Sequence, residues 1–60
     1  MLVYIVKEDD IHTPITCKEV DYAAAPRVGE KIVANSKVYT VSGVYHNLDV
    51  QEIKIVVKNE

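Results

Sequence analysis

Cys17, His12 and His46 are the residues with which this chain could do nucleophilic chemistry. A thiol nucleophile needs a base in hydrogen-bond reach, a group that orients the base, and donors for the developing oxyanion. The sequence carries no motif that assembles these. A lone cysteine in a strand-like stretch reads first as a small buried hydrophobe. The same three residues are too few and too scattered for structural zinc, which takes four convergent nitrogen or sulfur ligands. Glu8-Asp9-Asp10 offers three consecutive carboxylates. Hard cations need oxygens converging from spaced positions, so adjacent acids on a loop sit in water. No catalytic residue, metal or cofactor is expected, and the chain reads as non-enzymatic. A small enzyme built on Cys17 and a histidine stands as an alternative.

The aromatic residues are the better lead. The chain has four Tyr and neither Phe nor Trp. Tyr4 and Tyr39 are expected to complete a core that lacks other aromatics. Tyr22, Tyr45 and His46 are expected outside, near the loops at one end of the fold. Tyrosine suits such a place because it combines apolar area with a polar tip. Exposed aromatics beside cations can also stack nucleic-acid bases.

Something must position these side chains, and composition bounds what it is. Sixty residues make one domain, residues 1–60. A chain of this size hides only about 60% of the surface its unfolded form exposes. A net stability of roughly 3–5 kcal/mol is expected. The content is 48% hydrophobic, too apolar for disorder, and rich in the β-branched residues that suit a pleated surface. Net charge is −2 with pI near 5.6, which argues against a phosphate-tracking partner and an anionic membrane. The single cysteine leaves no intramolecular disulfide partner. MLVYIVKEDD has no basic segment, and its apolar run is too short for a signal peptide or a span. A soluble, cytoplasmic protein is the expectation.

Residues 2–7 form an apolar run with three β-branched residues, a predicted strand. Leu2, Tyr4 and Val6 fall on one face, Val3 and Ile5 on the other. An ordinary one-sided strand alternates apolar with polar. This one is therefore either buried on both sides or covered by a loop or a partner chain. Residues 15–22 read as a second strand whose phase switches near Lys18-Glu19, as a β-bulge would produce. Competing helix is held to one turn near residues 22–25, because Pro26 stops it.

Residues 26–58 organise the rest. Pro26-Arg27-Val28-Gly29-Glu30 is an entry loop in which Gly29 supplies a positive φ. Residues 31–34 are a short strand with Ile32 inward, and Asn35-Ser36 is a hairpin turn. Residues 38–46 are a long strand with Tyr39 and Val41 on one face and a bulge at Ser42-Gly43. Residues 52–58 alternate, with Ile53, Ile55 and Val57 inward. Among their outward partners only Val56 is apolar.

The order of Pro26, Gly29 and Glu30, then the turn, then Tyr39 and Val41, resembles small SH3-like β-barrels, of the kind found among uncharacterised bacterial and prophage products. The resemblance covers the C-terminal half and implies a fold without functional residues. The proline-peptide-binding branch uses a Trp-lined groove, which this chain lacks.

The reading is an all-β domain: a small SH3-like barrel or curled antiparallel sheet of about five strands. Its expected role is a protein-interaction module, in a phage or prophage setting, binding a protein partner or forming a homo-oligomer. The expected surface is Val3, Ile5, Tyr22, Tyr45, His46 and Val56. A small nucleic-acid-binding barrel, using Lys31, Lys37, Tyr45 and Lys54, is the alternative.

Overall fold

The last strand is the hub of the fold, as its alternation requires. A computed structural model describes residues 1–21 and 24–59. Five strands form: β1 (Leu2–Lys7), β2 (Thr16–Glu19), β3 (Lys31–Ala34), β4 (Lys37–Asn47) and β5 (Glu52–Asn59). They join one sheet in the order β2-β1-β5-β4-β3, curled into a nearly closed barrel-like shape. That shape is compatible with an SH3-like fold. β5 lies in the middle, and its inward Ile53, Ile55 and Val57 are fully buried. Val3 and Ile5 from β1, and Tyr39 and Val41 from β4, close over them. Ile32 and Val44 pack on this cluster from the side.

One ladder departs from the expected all-antiparallel sheet. β1 runs parallel to β5, from Leu2 opposite Glu52 to Lys7 opposite Val57. Alternation along a strand reports its faces and not its direction. β2 is also shorter than expected. It ends at Glu19, with no register shift in its ladder to β1. The expected helical turn is represented by one bond, from the Ala24 N–H to the Asp21 carbonyl at 2.9 Å. Residues 22 and 23 lie outside the described residues.

The turns follow their residues. Asn35 and Ser36 have φ of 50° and 65°, the pair of left-handed values that a two-residue type I′ hairpin needs. Gly29, at φ 92°, is third in a turn closed by Glu30 N–H to the Arg27 carbonyl at 3.1 Å. The Glu30 carboxylate reaches back to accept from the Arg27 N–H at 2.6 Å. β2 and β3 face each other across the open seam of the barrel. There the Asn35 side-chain amide donates to the Ile15 carbonyl at 3.2 Å, tying the seam at one end.

The bulge in β4 decides which side chains reach the surface. Val41 pairs with Val57, but Gly43 pairs with Val56, so Ser42 is an extra residue. The Ser42 hydroxyl donates to the Val56 carbonyl at 3.2 Å and stitches the irregularity to β5. Side chains alternate with period two, so one inserted residue exchanges the faces beyond it. Val44 turns to the core in consequence, and Tyr45 turns out.

Candidate interaction surface on the outward sheet face

The expected surface residues separate into three groups. Val3 and Ile5 are core residues, 3% and 7% exposed, and cannot form an interaction surface. The sequence defined two faces on this strand but not which one turned inward. Ile53 and Ile55, their register partners on β5, settle it. Tyr45 is 64% exposed, and Val56 is half-buried on the same outward face. His46 is exposed but pairs with Ile53 on the inward parity, at the mouth of the barrel. It nevertheless lines one depression with Tyr45 at the end of β4. Tyr22 lies outside the described residues.

Register assembles the outward face in rows. Tyr45 of β4 pairs with Lys54 of β5, and Lys54 with Tyr4 of β1. Tyr4 in turn pairs with Cys17 of β2. The next row runs Asn47, Glu52, Leu2 and Glu19. Tyr39 is in the core as expected, whereas Tyr4 is half-buried on this outer face. Sequence reasoning missed Tyr4 and Leu2 as surface groups. The parity of β1 relative to Ile53 and Ile55 would have found them.

The Tyr4 hydroxyl sits between two groups that hold its proton. The Glu52 carboxylate is the larger influence and the Cys17 thiol the second, and both keep the phenol above its ordinary value. Partial burial acts the same way. The Tyr45 ring, in turn, lies over Gly43. A β-carbon built at Gly43 would meet that ring at 3.4 Å and Val56 at 3.7 Å.

Val6 is fully buried although it points away from the core cluster. The chain after β1 comes back to this side of the sheet. The Asp10 N–H donates to the Lys7 carbonyl at 3.1 Å and turns the chain back. Ile11 then lines one depression with Tyr45, Leu48, Glu52 and Lys54. Ile11 is 45% and Leu48 is 85% exposed.

The candidate catalytic pair is not brought together. Cys17 is exposed on β2, against the expectation of a buried hydrophobe, because only β1 flanks it. His46 is on β4, three strand spacings away, or roughly 14 Å. His12 is in the exposed turn region after β1. Among the described residues, no three His, Cys, Asp or Glu side chains are grouped to hold a metal ion. No helix among them is long and apolar enough to cross a membrane.

Comparison with known proteins yields no relationship: no protein family, no curated protein and no solved structure matches the chain.

Proposed function

We propose that the chain is a non-enzymatic protein-interaction module and that it binds through the outward face of β1, β5 and β4. One observation carries the reading. This face presents Leu2, Tyr4, Ile11, Tyr45 and Leu48 around Glu52 and Lys54, and its exposed apolar members lie outside the core. Exposed apolar area rimmed by polar groups marks contact surfaces, and tyrosine is favoured at their centres. The setting we propose is an accessory role of the bacterial or prophage kind, consistent with a chain this small.

A photo-crosslinking residue at position 45, compared with one at exposed position 28, tests the reading in lysate and in purified protein. Protein adducts formed at 45 and not at 28 support it. Equal or absent adducts at both positions contradict it.

A second reading has its own observation. Lys31, Thr40 and Lys58 lie in one row of the same outward face as the Tyr45-Lys54-Tyr4 row. Alternating lysines and tyrosines suit a single-stranded nucleic acid. Lys37 falls on the parity of Tyr39 and does not join them. Glu52 and the net charge of −2 weigh against this reading. Binding to a short oligonucleotide at low salt tests it, since electrostatic affinity is greatest there.

A further inference from the structure

We propose that the outward face of β1, β5 and β4 pairs with the same face of a second copy of this chain. The two-fold axis lies in the interface, at right angles to β5, between Glu52 and Lys54. The inference rests on reading this face as an interaction surface, and it names the partner.

The row pattern selects the second copy and the direction of the axis. A two-fold at right angles to the strands lays the Lys54 row of one copy over the Glu52 row of the other. Lys54 then meets Glu52 of the second copy, Tyr4 meets its Leu2, and Tyr45 meets its Asn47. Each meeting is complementary: an ion pair, an aromatic ring on an aliphatic chain, and a phenol with an amide. By symmetry every such contact is made twice. A two-fold along β5 would instead set Lys54 against Lys54 and Glu52 against Glu52, which like-charge repulsion disfavours. Of these arrangements, the two-fold across β5 is the one that sets opposite charges against each other.

Two further features suit this arrangement. Tyr4 stands close enough to Glu52 for the carboxylate to act on its phenol, so aromatic area lies beside the charge. Leu48, 85% exposed in the turn after β4, and Ile11 add apolar area at the edge of the same depression. Apolar contact therefore flanks the ion pairs. Stable interfaces hide roughly 800 Å² per partner, nearly a fifth of this chain's 4280 Å². A face of three strands, about 4.8 Å apart and roughly 20 Å long, supplies less than that, so the expected dimer is weak and concentration-dependent.

Sedimentation equilibrium at low salt, from about 10 µM to about 1 mM, tests this. The native chain is compared with Glu52→Lys, with Lys54→Glu, and with an equimolar mixture of the two variants. The native chain should pass from monomer to dimer across the range. Each reversal places like charges across the axis and should weaken association by about tenfold or more. The mixture should regain dimers containing one copy of each variant. A native chain that stays monomeric at the highest concentration overturns the proposal, whatever the variants do. Reversals that associate as the native chain does, or a mixture that stays monomeric while the native chain dimerises, overturn it too. If self-association is absent while adducts at position 45 persist with other proteins, the second copy is wrong and the interaction surface stands.

Discussion

The two faces of the sheet are built from the same strands and differ in what covers them. The inward face is closed by its own chain: Ile53, Ile55 and Val57 are sealed by β1 and β4. On the outward face the chain after β1 brings Ile11 beside Tyr45 and Leu48 but leaves both of them in water. The inward face is therefore where stability resides. The outward face is where apolar area remains for something other than folding. β1 contributes to both, and this explains its lack of polar alternation.

Substitutions that distinguish the faces span a wide range of effects. Ile55→Ala removes the centre of the inward face and should cost about 2–5 kcal/mol. That is comparable to the whole stability expected of so small a domain, so thermal melts should show a largely unfolded chain. Val6→Ala should cost about 1.5–2 kcal/mol, at roughly 0.8 kcal/mol for each methyl or methylene removed from a buried site. A cost near zero in urea titration would mean that Val6 is not sealed from water.

Gln51 sharpens the account of the turn that presents Leu48. Its φ of 54° is strained for a residue with a β-carbon. Gln51→Gly should raise stability by about 0.5–1 kcal/mol, the strain relieved less the added flexibility of the unfolded chain. Tyr45→Ser should change stability by only about 0.5 kcal/mol or less, as exposed positions do. It should nevertheless reduce association.

The smallest effect is alkaline. Tyr4 holds its proton more tightly in the folded chain than in the unfolded one. Between the two pKa values the folded state binds more protons, so stability falls as pH rises above about 10. Below that the contribution is constant. Tyr4→Phe should flatten this decline in pH-dependent melts.

Much of the fold was legible in sequence because its signals are local. The alternation in β5, the Asn35-Ser36 turn, the Gly29 turn and the β4 bulge all appear where residue chemistry put them. What was hidden depends on pairing between distant strands. The parallel ladder of β1 with β5 cannot be read from either strand alone. The same ladder decides that Val3 and Ile5 point inward while Leu2 and Tyr4 point outward. The bulge was legible as an irregularity, but its consequence, turning Val44 inward and Tyr45 outward, follows only from counting register across it. Of the expected surface, Tyr45 and Val56 lie on the outward face, and the row through Lys54 and Tyr4 needed the assembled sheet.

The central claim is that the inward face is scaffold and the outward face is contact surface. Backbone amide NMR spectra of the native chain, recorded as concentration is raised, test it most directly. The account predicts progressive shifts that cluster on Leu2, Tyr4, Tyr45, Glu52 and Lys54, while the seam edges at β2 and β3 stay unchanged. Spectra that do not change with concentration, or shifts confined to the seam edges, would contradict it.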